Sequence, residues 1–280
     1  MFLIGVAAPA ASPAQAQETI TLNLHHFLAP SSTTQKRFLE PWARDVAERS
    51  KGKLQIRIFP LMQLGGRAPQ LYNQARDGVA DIVWTLPGYT PGRFPITEVF
   101  ELPFYVTTAE ATSQAIEAFS QHHLKEEYAD THPLLFHVHS RGSFHMRKKD
   151  VQSLDDLKGL KIRGPSRTAT TMLEFLGATP VGMPVPDVPA SLSRGVIDGA
   201  LLPWQVTTSL RTSEIATSHT EFGGEHGLYT AVFLLTMNKD TYNNLPRNLQ
   251  KVLDDTTGIA RARAAGKVYD EDELPGRAIA

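Results

Sequence analysis

Two stretches of this 280-residue chain share one local grammar. Ala75-Arg-Asp-Gly-Val-Ala-Asp-Ile-Val-Trp84 and Leu192-Ser-Arg-Gly-Val-Ile-Asp-Gly-Ala200 each end a helix at glycine and then open a strand with Val-x-Asp. Glycine just past a helix end takes a left-handed conformation that side chains resist. The apolar residues that follow suit a buried strand. A joint of this kind in each half predicts two similar α/β lobes, with chance recurrence of a common helix-to-strand joint as the competing reading.

The order of elements supports the first reading. Thr19 to Phe27 alternates Ile20, Leu22 and Leu24, as a strand does. Ser31 to Thr34 opens a helix with Phe38, Leu39, Trp42, Val46 and Ala47 on one face. Leu54 to Phe59 is a second strand, stopped by Pro60, and Pro69 starts a helix that ends at Gly78. Val79 to Trp84 is a third strand. Strand and helix alternating over short links imply right-handed parallel crossovers. Helix Thr108–Tyr128 and strand Leu134–His139 follow. The second half begins near Arg141, and the apolar run Phe233 to Met237 is expected to return to the first lobe. The terminal helix is expected from Pro246 past Arg263. The lobes are thus expected at 17–139 plus about 229–250, and at 140–228 plus about 251–280.

Net charge is −1, so nothing favours nucleic acid or an anionic membrane. No cysteine is present, which excludes disulfides, thiol catalysis and cysteine-held metals. Phe2 to Ala10 is largely apolar and Ala14-Gln-Ala16 fits a cleavage site, so residues 1–16 read as a signal-peptide remnant. No Lys or Arg precedes the apolar run, and an Ala/Pro tail is the alternative. No other stretch has the ~18 apolar residues of a membrane span.

The segment Ser153-Leu-Asp-Asp-Leu-Lys-Gly-Leu-Lys-Ile-Arg163-Gly-Pro carries the most chemistry. Ser153 caps a short helix, Gly159 ends it, and a brief strand closes at Arg163 before Gly164-Pro165. A guanidinium at a strand's C-terminal end stands where open α/β sheets bind ligands. Ser166 then opens a helix, whose N-terminus favours anions. A surface ion pair is the other reading of Arg163. Arg141, Trp84, Trp204, His25, His26 and Phe27 also fall at strand ends, which together offer guanidinium, imidazole and aromatic walls. His137 and His139 share a strand face, but no Asp, Glu or Cys completes a metal site, and nothing calls for a cofactor. No Gly-x-Ser-x-Gly elbow or phosphate loop occurs.

The runs Lys53-Leu-x-Ile-x-Ile-Phe-Pro, Gln63-Leu-Gly, Gly78-Val-Ala-Asp, Glu101-Leu-Pro-Phe104, Leu157-Lys-Gly-Leu-Lys-Ile-Arg163, Gly195-Val-Ile-Asp-Gly199 and Met237-Asn with Leu245-Pro occur in order over about 20–270. Together they resemble the DctP-type solute-binding proteins of TRAP transporters. The resemblance implies a two-lobed periplasmic binding protein fold, each lobe a mainly parallel sheet flanked by helices, closing on an organic acid. It implies Arg163 as the carboxylate clamp and a second Arg upstream, with Arg141 fitting best and Arg147 as rival. A polar residue is common after the second Val-x-Asp-Gly strand in members that bind sugar acids, yet here the segment reads Ala200-Leu-Leu202-Pro-Trp204. The loop Trp84-Thr85-Leu-Pro and Val185 are also poor in polar groups. Buried hydroxyls without partners are costly, so an aromatic or apolar monocarboxylate is expected.

The expected partners are that acid and TRAP permease subunits, with no nucleic acid, no enzyme activity, a monomeric state and a periplasmic location. A receptor feeding a sensor kinase shares every feature, and a hydrolase using His25 or His26 is the remote rival. The family continues through more helix at its C-terminus, so the chain reads as truncated.

Overall fold

β1 (Ile20–His25) carries Leu22 and Leu24 into the core, and β2 (Leu54–Phe59) and β3 (Ile82–Thr85) lie parallel on either side of it. The computed structural model describes residues 19–280, so the expected signal peptide lies outside the described residues. Between β1 and β2 the chain winds through a π-helical turn, Thr34–Leu39, into α1 (Glu40–Arg49). Phe38, Leu39, Trp42 and Val46 are buried on its inner face, and Pro41 sits where the π-helical turn passes into α1. α2 (Leu71–Arg76) connects β2 to β3.

α3 (Ala109–His123) begins at Thr108, whose hydroxyl accepts the Ala111 amide at 3.1 Å. β4 (His132–Val138) follows. β5 (Ser143–Met146) and β6 (Lys161–Gly164) open the second half, with α4 (Arg167–Phe175), β7 (Thr179–Gly182), α5 (Val188–Arg194) and β8 (Gly199–Leu202) behind them. α6 (Trp204–Leu210), β9 (Ser218–Thr220) and β10 (Val232–Met237) come next. α7 (Lys239–Asn244), α8 (Arg247–Asp255), α9 (Ile259–Glu271) and α10 (Glu273–Ile279) finish the chain.

Among the described residues, ten strands form two five-stranded sheets, ordered β2-β1-β3-β10-β4 and β7-β6-β8-β5-β9. The two orders have the same pattern of directions. In each, three parallel strands are followed by one that runs antiparallel and a fifth that runs with the first three. The Val-x-Asp residues explain why the repeat is visible in sequence. The Asp81 carboxylate accepts the Asn23 amide of β1 at 2.8 Å, and the Asp198 carboxylate accepts the Lys161 amide of β6 at 2.8 Å. Their carbonyls accept from Asn238 and Arg147, each at 2.8 Å, beside the antiparallel neighbour. Each aspartate thus pins a strand between its two partners. β10 crosses back into the first sheet.

Three strands had no signal of their own. β5 has four residues and β9 three, too few for a clear alternation, and β7 contains Pro180, which is tolerated because β7 lies at an edge. The placement of 251–280 with the second lobe needs correction. α9 packs on α3 and β4 of the first sheet, and α10 packs on α6 of the second. Gly266 and Gly276 permit this, since a Cβ on Gly266 would fall 2.2 Å from the Ala109 carbonyl oxygen and one on Gly276 would fall 2.2 Å from that of Trp204. Between them Asp270 accepts the Ala109 and Glu110 amides at 2.9 Å, and Glu273 accepts the Trp204 and Gln205 amides at 3.3 and 3.1 Å. The C-terminal helices therefore clasp one helix start from each sheet.

Candidate functional site

The C-terminal ends of β1, β3, β6 and β8 face a shared cleft, the position at which open α/β sheets bind ligands. β10 runs antiparallel to β3, so its first residues reach the same edge. The cleft encloses a small cavity of about 30 Å³, well below the roughly 300–1,000 Å³ of small-molecule sites, so a bound ring requires the lining to move apart.

Arg163, at the end of β6, is 2% exposed. Its Nε donates to the Met183 carbonyl at 2.9 Å and its Nη1 to the Leu201 carbonyl at 3.0 Å, which fixes the plane of the guanidinium. Burial pulls its pKa down, and the phenols of Tyr89 and Tyr229 partly oppose that. Among the described residues it forms no ion pair with a carboxylate. A buried cation without a counter-charge costs several kcal/mol.

The opposite wall comes from the first sheet and is aromatic. Trp84 stacks on Phe233 at 4.6 Å and lies 5.0 Å from Phe27. Its indole N–H donates to His137 Nε2 at 2.9 Å, so the ring is held edge and face. His139 lines the same space. Its Nδ1–H donates to the Ser140 carbonyl and its Nε2 accepts the Ala231 amide at 3.0 Å, while burial depresses its pKa to about 4. It is a neutral wall. Leu202 and Val185 close the space from the second sheet, with Gln205 at its rim.

Contacts across the cleft hold it shut. Tyr89, from the loop after β3, accepts the Val185 amide at 2.9 Å. Arg167 pairs with Glu98, and Arg67 with Asp187 at 3.0 Å. Glu101 is fully enclosed between the halves. One of its oxygens accepts the Val232 amide at 3.0 Å, and the Ser166 hydroxyl is also a partner. The other oxygen, Oε2, is buried without a partner. Burial raises the carboxyl to about 7, against the pull of those hydrogen bonds. Gly88 makes the approach possible, because a Cβ there would stand 2.6 Å from the Ser166 Cβ.

Of the residues expected at the site, the cavity gathers Arg163, Trp84, Phe27, Leu202 and Val185. Arg141, Trp204, His26 and Thr85 do not line it. Arg141 is exposed, donates to the Gly224 carbonyl at 2.8 Å and packs its stem on Gly227, in a polar groove on another face. The rival Arg147 lies against Gly195, at the other end of β8. Trp204 turns away because successive helical residues point about 100° apart. Its N–H donates to Glu221 at 2.6 Å, its ring lies between His145 and His219, and Gln205 takes the cavity side instead. His26 is a core residue, accepting the Leu28 amide at 3.2 Å and bonded to Gln35 at 3.1 Å. Burial lowers its pKa to about 4. His25 is bonded to Gln74 and accepts the Leu64 amide, which leaves neither imidazole placed for hydrolysis. Thr85 is buried inside the sheet.

Sequence reasoning missed Tyr89, Tyr229, His139 and Phe233. Tyr89 lay in the loop already singled out, and Phe233 and His139 were read as strand residues. Tyr229 lies in a connecting segment without periodicity and had no signal. Its ring fills the space above Gly142, where a Cβ would fall 1.9 Å from its Cε1.

This fold and cleft belong to the ligand-binding proteins that close two lobes on a small molecule. Residues 24–274 match the family model for bacterial extracellular solute-binding protein, family 7, called DctP. The chain belongs to that family. A TRAP solute-binding protein of Rhodoferax ferrireducens T118, solved with copurified benzoate, is 47% identical at a TM-score of 0.91, over 93% of this chain and 81% of its own. A marine metagenome TRAP solute-binding protein from an unidentified microbe, described as specific for aromatic acid ligands and solved with 3-hydroxybenzoate, is 45% identical at a TM-score of 0.91, over 93% and 82%. A curated relative from Comamonas testosteroni, named outer membrane transporter protein TsaT, is 28% identical over 98% of this chain and 80% of its own. No helix among the described residues is long and apolar enough to cross a membrane.

Proposed function

We propose that this protein captures an aromatic monocarboxylate in the periplasm, clamps its acid group with Arg163, and delivers it to the membrane permease of a TRAP transporter. The observation that carries this reading is the guanidinium of Arg163, buried without an acidic partner at one side of a cavity otherwise walled by rings and aliphatic chains. An acid supplies the missing charge through paired, charge-assisted hydrogen bonds. An aromatic ring suits a wall made of Trp84, Phe27 and Phe233, against which a hydroxyl-rich sugar acid would be left with unpaired polar groups. The solved relatives with benzoate and 3-hydroxybenzoate support the same ligand class.

Binding needs no bond making. The ligand touches both lobes, so it favours the closed arrangement over an open one. The permease would then recognise a surface that exists only when the cleft is shut.

Isothermal titration of the purified chain with benzoate, 3-hydroxybenzoate and glucuronate tests this. The two aromatic acids are expected to bind and glucuronate is not. Arg163→Met is expected to weaken benzoate by about 10²–10⁴-fold, since it leaves a carboxylate buried without its cation. Arg163→Lys keeps the charge but loses the fork, and should fall between. Tight glucuronate binding with no response to benzoate overturns the reading.

A further inference from the structure

We infer that the hydroxyl of Tyr229 is the second donor to the ligand's carboxylate, in the role that a second guanidinium was expected to play. The inference rests on the proposed aromatic-acid ligand and adds to it the group that positions the acid.

Tyr229 is 1% exposed and its ring lines the cavity. Its hydroxyl is buried with no hydrogen-bond partner among the described residues. A buried phenol normally has a partner, because an unmade bond carries the full cost of desolvation. The ring cannot swing away to find one. Gly142 lies directly beneath it, the Tyr229 carbonyl accepts the Gly142 amide at 3.0 Å, and the His139 ring stands edge-on at 5.2 Å.

Arg141 and Arg147 are outside the cavity. His139 has both ring nitrogens engaged. The Tyr89 hydroxyl accepts the Val185 amide across the cleft and so already has a partner, whereas that of Tyr229 has none among the described residues. Tyr229 is close enough to Arg163 for the two to influence each other electrostatically, and burial raises its pKa far above the ordinary phenol range. It therefore keeps its proton and donates. One carboxylate oxygen is left for the guanidinium fork and the other for the phenol.

The test is isothermal titration of the wild type and Tyr229→Phe with benzoate and with 3-hydroxybenzoate, beside thermal unfolding of both without ligand. A hydrogen bond to a charged group is of the size that predicts a loss of about 10–100-fold for both acids alike, with ligand-free melting little changed. Should Tyr229→Phe melt early, a crystal structure of the wild type with benzoate replaces it, with the Tyr229 hydroxyl expected within hydrogen-bond distance of a carboxylate oxygen. Unchanged affinity for benzoate in Tyr229→Phe, or a phenol out of reach of the carboxylate in that structure, overturns the inference. A loss confined to 3-hydroxybenzoate also overturns it, by assigning the phenol to the ring hydroxyl. If the wild type binds neither acid, the ligand reading itself has failed, and Tyr229 loses its role with it.

Discussion

The two sheets are built alike and furnished differently. Both place three parallel strands, then one reversed strand, then a fifth in the original direction, and both use an aspartate at the start of the central strand to hold the neighbouring amide at 2.8 Å. Their cleft-facing ends diverge. The first sheet presents Phe27, Trp84, His139 and Phe233, all neutral and mostly stacked. The second presents Arg163 between Leu202 and Val185. The scaffold was free to repeat because backbone hydrogen bonds are indifferent to the ligand. The ends had to differ because the proposed ligand is itself two-sided, with a ring at one end and an acid at the other.

The contact between the sheets offers the largest departure from a passive hinge. Glu101 belongs to the first half, and closure buries it against Ser166 of the second. Opened to water it should return to the ordinary carboxylate range, so closing the cleft takes up a proton. The neutral form's advantage is complete below about 4.5 and is lost as pH rises through about 7. Affinity for an aromatic acid is therefore expected to fall by up to about tenfold per pH unit in that window and to level off above it. Titration near pH 6 in buffers of different ionisation heat should reveal the proton uptake, and Glu101→Gln should abolish both effects. A flat profile in the wild type would mean that Glu101 stays solvated in solution.

A second comparison asks whether the repeated aspartates are equivalent. Asp81→Ala and Asp198→Ala each leave a strand amide without its acceptor, which costs about 1–3 kcal/mol. Urea unfolding should show losses of similar size for the two. A much larger loss at Asp81 would mean that the first sheet, with its broader core, unfolds as the controlling unit. The smallest effect is expected at Arg141. Its guanidinium serves an exposed contact with Gly224, so Arg141→Ala should change benzoate affinity by less than about threefold, within the range of ordinary surface substitutions. A loss comparable to that of Arg163→Met would return Arg141 to the site.

The C-terminal helices show how the two halves are kept in step. Asp270 caps α3 of the first and Glu273 caps α6 of the second, a few residues apart on one continuous segment. Burial raises Glu273 to about 8. These carboxylates could not be recognised from sequence as caps, since the amides they satisfy lie far away along the chain.

Local chemistry made the repeated unit and the parallel crossovers legible and placed Arg163 at a strand end. Each depends on residues close together in sequence: a glycine after a helix, an alternating apolar run, an arginine before Gly-Pro. The composition of the pocket was a tertiary matter. Arg141 and Trp204 lie at strand or helix ends as Arg163 and Trp84 do, yet one faces solvent and the other turns toward His145 and His219. Tyr229 had no pattern to mark it and is brought in by the crossover before β10. Chain position determines which edge of a sheet a residue reaches. Only packing against the other lobe decides whether its side chain meets water, core or ligand.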